Sequence, residues 1–456
     1  MIDRSAAWIA AAAGGELLAA GPDAEYDGQG PRRVVFEPND ATPEDLFVAL
    51  GVAGRDPLEQ ATTALGQGAW GLLAEPGVAA EFPNAGRPVI AAAAPQQALR
   101  SLALAWRREL GVTVVGVTGS SGKTSTKDIL RALLEPVCRV QTNRLNFNNR
   151  IGVPITILEA ERDTEVVVLE LATRAPAGVA ALARIAEPDH GVILNIGAAH
   201  LTRLGGLPGV ARAKAKLIAA LPAGGTCVIP AREPLLDPYR RDDLDTITFG
   251  EGGDVALRSV TDGIAEIDAR GRTITLELAY AQPFNLTNTL AAVAIATALG
   301  YTPSGRIEPE FSPHRGEVIP LAGQITLVDH AYNTNPDSVT AVLSHFATIP
   351  ASRHVAVLGY LYHLGEERER YHLEVGRHAR RLGIDFLITM AGPAAEMGVG
   401  FGGPTHHVHG PGHAMKVLGR VLRPGDVVLL MGTSRSGLTR VSDRLRAERA
   451  LEPAGS

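Results

Sequence analysis

Lysine is scarce in this chain. Of 456 residues, five are lysine (Lys123, Lys127, Lys214, Lys216 and Lys416), and the other 38 basic residues are arginine. A G+C-rich genome produces such a skew without any functional cause. It nevertheless makes each remaining lysine informative, because arginine fills almost every generic basic position. Cysteine is scarcer still: Cys138 and Cys227 are the two present. Two thiols cannot build a disulfide scaffold or a four-thiolate zinc site. There is no basic excess, since 43 Lys+Arg face 49 Asp+Glu for a net charge of -6. That excludes a non-specific nucleic-acid binder, which needs a basic face. No apolar run reaches the roughly 18 residues of a membrane span. The alanine-rich stretch from Ala6 to Ala20 superficially resembles a signal peptide. Asp3 precedes it, and Gly14, Gly15 and Glu16 interrupt it, so an N-terminal helix is the better reading. A soluble cytoplasmic enzyme is the expectation.

Hydrophobic residues make up 45% of the chain, enough for ordinary cores. At roughly 150 residues per domain, the length suggests about three domains. Composition divides the chain accordingly. Trp8, Trp70 and Trp106 all lie near the start, 11 of the 13 histidines lie from His314 onward, and four of the five lysines fall in the middle. The middle zone alternates strand and helix patterns. Strands are expected at Val112–Val117, Glu165–Glu170 and Gly191–Ile196, and helices at Lys123–Leu134 and Ala177–Ile185. This grammar predicts a parallel sheet covered on both faces. The last zone repeats it, with strands at Val355–Leu358, Phe386–Thr389 and Val427–Met431 and helices at Glu366–Arg381 and Ser436–Arg446. A smaller Rossmann-like domain is expected there.

The strongest signal is Gly116-Val-Thr-Gly-Ser-Ser-Gly-Lys-Thr124, between an expected strand and an expected helix. Gly119 and Gly122 let backbone N–H groups turn inward around phosphate oxygens, and the helix N-terminus adds partial positive charge. Lys123 can reach the β- and γ-phosphates, and the Thr124 hydroxyl can ligate Mg²⁺. The spacing departs from the general phosphate loop, which would need glycine at Val117. A Gly/Ser turn that binds nothing gives no reason for the Lys-Thr pair.

The run Thr118-Gly119-Ser120-Ser121-Gly122-Lys123-Thr124 resembles the ATP loop of the Mur ligases, the amide-forming enzymes of peptidoglycan synthesis. Further motifs follow in the order of the MurF type over nearly the whole chain, most densely from 112 to 222. The resemblance implies three α/β domains, read here as 1–108 (substrate binding), 109–316 (ATP binding) and 317–456 (Rossmann-like). It also implies ATP and Mg²⁺ as cofactors. Glu170, at the carboxyl end of an apolar strand, and His200, just after the next strand, match the family's magnesium ligands. Read without the family, Glu170 is a strand-end acid and His200 a poor Mg²⁺ ligand. Lys214, in Ala211-Arg-Ala-Lys-Ala-Lys-Leu-Ile218, matches the family's carbamylated lysine, whose carbamate ligates Mg²⁺. The alternative is a solvated basic helix face. Catalytic roles are thereby implied for Lys123, His200 and Lys214.

Asn146-Phe-Asn148-Asn149-Arg150-Ile-Gly-Val-Pro154 resembles the MurF stretch Asn-Leu-Asn-Asn-Asp-Ile-Gly-Val-Pro, with Arg150 reversing an acidic charge. Asn285-Leu-Thr-Asn288 resembles an element near adenine, although helix capping explains one asparagine. Arg315 stands where the family has a nucleotide-contacting arginine. Asp329-His-Ala-Tyr332-Asn333-Thr-Asn335-Pro resembles the Asp-Asp-Ser-Tyr-Asn-Ala-Asn-Pro motif, with His330 for the second aspartate. Asp329 is thus implied at ATP, and Tyr332, Asn333 and Asn335 at substrate.

Departures gather where the family reads its substrate. Tyr360 and His363 replace acids of Gly-Asp-Met-x-Glu-Leu-Gly. Met431-Gly-Thr-Ser434 replaces Lys-Gly-Ser-Arg. Phe36-Glu-Pro-Asn-Asp40 lacks the residues that contact uridine diphosphate. The cluster His406-His-Val-His409, with His413, reads as a Gly/Pro-rich surface loop, since no Cys or acid completes a metal set.

The resemblance implies an ADP-forming carboxylate–amine ligase working through an acyl phosphate. Two substrate readings stay open. One is a UDP-MurNAc-peptide with D-Ala-D-Ala. The other, toward which the replaced motifs tilt, is another carboxylate with an amino acid or dipeptide in specialised metabolism. A non-catalytic nucleotide-binding partner protein is the alternative from another class. A monomer without nucleic-acid or membrane partners is expected.

Overall fold

The computed structural model describes residues 4–18, 30–51, 54–144 and 147–450. Three sheets follow one another along the chain. The first has five strands in the order Glu16–Leu18, Val89–Ala91, Gly71–Ala74, Asp45–Val48, Arg33–Val35. It is parallel apart from the first strand. The expected N-terminal helix spans Ala6–Ala13 and ends on Gly14 in a left-handed cap (φ 66°). Chain reversal at Gly14 and Gly15 starts the edge strand instead of extending the helix.

The second sheet has ten strands. At its heart, Thr113–Thr118 lies between Val166–Glu170 and His190–Ile193, all parallel. These strands are almost entirely buried, as strands covered on both faces must be. Lys123–Leu134 and Gly178–Ala186 are the covering helices. The far end of the sheet departs from the expected parallel order. Val255–Thr261, Ile264–Ala269 and Arg272–Leu278 form an antiparallel meander. Arg272–Leu278 alternates exposed and buried residues, the pattern of a sheet with one solvated face.

The third sheet runs Glu317–Leu321, Ile325–His330, Asp426–Met431, Arg353–Gly359, Phe386–Met390, Thr405–Val408. All but the first strand are parallel. The expected helix from Glu366 begins as a short 3₁₀ turn and becomes α-helical at Arg368–Arg381. The last helix, Leu438–Glu448, starts after the turn Ser434–Ser436 and a left-handed Gly437.

Apolar cores join the sheets. One runs from Ile9, Leu46 and Trp106 into Val114, Val153 and Leu169. Another packs Ala198, Leu201 and Val210 against Val339, Phe346 and Leu358. The carboxyl ends of the central strands therefore face the third sheet, where ligands of open α/β sheets bind.

Candidate active site

The carboxyl ends of those strands open into a cleft of about 700 Å³. Its floor is the turn between Thr113–Thr118 and Lys123–Leu134. Gly119 leaves no room for a side chain: a Cβ would lie 2.9 Å from Leu194 Cβ. Gly122 has φ +81°, which favours glycine. Asn195 braces the loop. Its Oδ1 accepts the Ser120 and Ser121 N–H groups at 3.0 Å each. Lys123 Nζ donates to Gly119 O at 2.7 Å, folding the cation over the loop. Burial lowers the Lys123 pKa, Arg315 adds to the effect, and Glu170 opposes it.

Thr124 Oγ1 donates to Glu170 Oε2 at 2.7 Å, and Asn148 Nδ2 donates to Glu170 Oε1 at 2.8 Å. One carboxylate thus gathers a hydroxyl from the phosphate loop and an amide from the Asn-rich turn. His200 sits in the left-handed region (φ 56°) at the N-terminus of Leu201–Leu204. Its Nδ1 is buried without a hydrogen-bond partner. Burial, then His363, Arg174, Lys123 and Lys214, push its pKa down to about 4. Lys214, the last residue of Gly206–Lys214, is buried, whereas Lys216 is exposed. Burial and the neighbouring Lys123 hold the Lys214 amine well below the usual lysine range. A hydroxyl, a carboxylate, an unpaired imidazole nitrogen and a buried amine open to carbamylation are a donor set that fits a divalent cation.

The third sheet supplies the opposite wall. Asn335 caps the helix Pro336–Phe346, and its Nδ2 donates to Ser120 O at 3.3 Å. Asp337, two residues on, accepts the Ala198 N–H at 2.7 Å. The Arg315 guanidinium lies 4.5 Å from the Tyr332 ring centroid. His330, Tyr332 and Asn333 complete this side, while Asn288 lines the cleft from the helix Pro283–Ala298, against Gly122 of the loop.

Several expected site residues lie outside the cleft lining. Thr118 is buried beneath the loop, its hydroxyl on Leu171 O. Asn285 is buried one turn behind Asn288 and accepts the Asn288 amide at 3.3 Å. Asn149 caps the turn into Gly152–Leu158 by accepting the Ile151 and Gly152 N–H groups. Arg150 is exposed, and Asn146 falls outside the described residues. Asp329 is fully buried in a network with His314 (2.8 Å), Arg446 (2.6 Å) and Ser442. Although burial opposes it, these bonds hold its carboxyl below the usual carboxylate range. His406 and His407 belong to the edge strand Thr405–Val408 rather than to a loop.

Sequence reasoning passed over Asn195, Arg174, Asp337 and Arg435, and read His363 only as the replacement of an acid; all five line the cleft. Arg435 follows Met431-Gly-Thr-Ser434 by one residue and lines the cleft, so the arginine of the Lys-Gly-Ser-Arg pattern is displaced rather than lost.

Comparison with known proteins gives the family. Residues 117–296 match the Mur ligase middle domain, and residues 314–434 match the Mur ligase glutamate ligase domain. The chain is 32% identical to the UDP-N-acetylmuramoyl-tripeptide–D-alanyl-D-alanine ligase of Mycobacterium tuberculosis, over 98% of each chain. The enzyme of the same name from Synechocystis is 34% identical over 77% of this chain and 78% of its own. Among solved structures, MurF from Acinetobacter baumannii superposes with a TM-score of 0.84 at 23% identity, covering 98% of this chain and 99% of that one. Thermotoga maritima MurF in complex with ADP gives 0.78 at 29% identity, covering 91% and 97%.

Proposed function

The chain belongs to the Mur ligase family, and from that premise we propose that it joins D-alanyl-D-alanine to a UDP-N-acetylmuramoyl-tripeptide with cleavage of ATP to ADP. The observation that carries the reading is the cluster Lys123, Thr124, Glu170, His200 and Lys214 in one cleft, in a chain similar to such ligases from end to end. That similarity outweighs the replaced substrate motifs. The non-catalytic alternative is not favoured.

In this reading the substrate carboxylate attacks the γ-phosphate and becomes an acyl phosphate. The amine then attacks the acyl carbon, and phosphate leaves. The first step brings anions together. Lys123, a compact point charge over the loop, offsets that repulsion. The loop N–H groups orient the phosphates once Asn195 releases them. Thr124, Glu170, His200 and a carbamate on Lys214 would hold a divalent cation. Such an ion supplies further charge neutralisation when bound. Arg315 and Asn335 close over the nucleotide from the third sheet, excluding water from the acyl phosphate. The second step needs a neutral amine, which a desolvated cleft favours.

Domain limits are placed at 1–108, 109–316 and 317–456. The sheets support them, though 108 falls inside the helix Pro95–Leu110. No helix among the described residues is long and apolar enough to cross a membrane. A cytoplasmic monomer is proposed, with ATP and Mg²⁺ drawn from that compartment.

The test is ADP formation from ATP with UDP-MurNAc-tripeptide and D-Ala-D-Ala. Turnover that needs both substrates and disappears in Lys123→Ala supports the reading. A folded, ADP-binding protein that releases no phosphate with these substrates refutes it. It would then favour a ligase for another carboxylate, consistent with His363 and Tyr360 in place of acids.

A further inference from the structure

Arg174, Arg203 and Arg435 converge on His363. Arg174 follows the strand Val166–Glu170, Arg203 belongs to the short helix Leu201–Leu204, and Arg435 lies in the turn Ser434–Ser436. Arg174, Arg435 and His363 line the cleft. Burial, then Arg203, Arg435 and Arg174, push the His363 pKa down, which favours a neutral ring among the guanidiniums. Arg174 bears on His200 as well, whose ring centroid is 5.4 Å from that of His363. The loop carrying His363 is fixed beside Arg203, because the His363 carbonyl accepts the Thr202 N–H at 3.3 Å. Gly365 permits the approach, since a Cβ there would lie 2.7 Å from Thr202 Cγ2.

No acid answers these charges. Among the described residues, none of the three guanidiniums has an ion-pair or hydrogen-bond partner. Elsewhere arginine meets carboxylate directly, as Arg353 does on Asp426 at 2.6 Å and Arg446 on Glu317 at 2.8 Å. The two acids that line the cleft are engaged. Glu170 accepts from Thr124 and Asn148, and Asp337 accepts the Ala198 N–H. At position 363 the motif that this loop resembles has an acid, so here a ring stands where a carboxylate could pair with an arginine. Unanswered guanidiniums on both walls of a cleft fit an anion, and their planar forks suit a carboxylate.

In the ligase reading, Lys123 and Arg315 serve the nucleotide, while Glu170, His200 and Lys214 serve the reacting end. The substrates bring further anions. The dipeptide keeps its C-terminal carboxylate, and the tripeptide keeps one on its last side chain when that residue is a diamino diacid. We propose that Arg174, Arg203 and Arg435 form a receptor for a substrate carboxylate that does not react, and so select substrates that carry one. The inference rests on the ligase reading and deepens it. Such a cationic wall also favours the neutral form of the attacking amine.

The test measures KM for ATP, dipeptide and tripeptide in the full chain. The variants are Arg174→Gln, Arg435→Gln, and a triple variant that adds Arg203→Gln to both. All three side chains are exposed, so the variants should fold as the parent does. Two neutral analogues identify the carboxylate. D-alanyl-D-alanine amide lacks that of the dipeptide. A tripeptide ending in lysine lacks the second carboxylate of one ending in a diamino diacid. One analogue should raise the KM of the parent about tenfold, the scale of hydrogen bonds to a charged group. The triple variant should raise the KM of the matching intact substrate by at least as much, and each single variant by part of it. Parent and triple variant should then handle that analogue alike, because the two losses are one interaction. The amide arm assigns the receptor to the amine substrate, and the lysine arm to the acyl substrate. The proposal is overturned if the triple variant leaves both substrate KM values unchanged, raises that for ATP alone, or weakens intact substrate and analogue equally. No turnover by the unsubstituted protein with both intact substrates refutes the ligase reading, and this inference with it.

Discussion

The Asp337 carboxylate accepts the Ala198 N–H at 2.7 Å, so a residue of the third sheet holds the backbone beside the phosphate loop. Gly197 makes the approach possible. A Cβ there would run into Asp337 Oδ2 and come within 3.4 Å of Ser120 Cβ. Gly197→Ala should therefore push the two sheets apart without touching Lys123 or Thr124. A misplacement on the order of 1 Å costs about 10²-fold in rate. Ligation kcat should fall by that order while ADP affinity changes little, and small-angle scattering should show a more extended particle. Unchanged kcat would mean that this contact has no part in closure.

Lys214 offers a sharper chemical test. Its amine is buried and held well below the usual lysine range, which favours the uncharged form that reacts with CO₂. Arginine keeps the charge but cannot form the carbamate. Lys214→Arg and Lys214→Ala should each lose activity by on the order of 10²-fold. Acetate should restore part of it in the alanine variant, where there is room, and none in the arginine variant. With ¹³C-bicarbonate, the unsubstituted protein should show a carbamate resonance that both variants lack.

Some of this site is written plainly in the chain. The helix Lys123–Leu134 has the bounds read from its pattern, because the Gly/Ser turn fixes its start. Lys214 and Lys216 look alike in sequence, and the scarcity of lysine drew attention to both. Burial separates them, and burial depends on which face of the helical segment meets the rest of the fold. Asp329 shows the opposite case. Its motif points to a nucleotide contact, yet His314, Ser442 and Arg446 surround it. Ser442 and Arg446 come from the last helix, more than 100 residues away. No local pattern reveals such a long-range partner. The antiparallel meander Val255–Leu278 was missed because its short alternating strands carry no motif.

His330 makes stability depend on pH. Burial, with help from His345 and Arg315 and against Asp329, pushes its pKa from 6.5 down to about 4. Between these values the unfolded chain binds a proton that the folded chain refuses, so acid favours unfolding. The stability concerned is full above pH 6.5 and is lost as the pH falls toward 4. At pH 5 the loss is at most about 2 kcal/mol, at 1.36 kcal/mol per pK unit. His330→Asn should flatten this part of the profile. The check is the difference in Tm between the two proteins from pH 7 to pH 5. A constant difference would mean that His330 titrates alike in both states.

Trp106 joins the first two sheets and should be the costliest apolar side chain to remove. It is fully buried, its indole N–H donates to Ala160 O at 3.1 Å, and Trp8 meets it edge-on at 6.4 Å. The Arg162 guanidinium lies 5.4 Å from its ring. Trp106→Ala empties a large cavity at the junction and should cost about 3–5 kcal/mol. Trp106→Phe keeps most of the apolar volume but loses the donor, and should cost about 1–2 kcal/mol. Urea unfolding followed by the fluorescence of Trp8 and Trp70 separates the two effects. The alanine midpoint should lie well below that of phenylalanine. If the two coincide, the hydrogen bond rather than the packed volume holds this junction together, and the cavity argument fails.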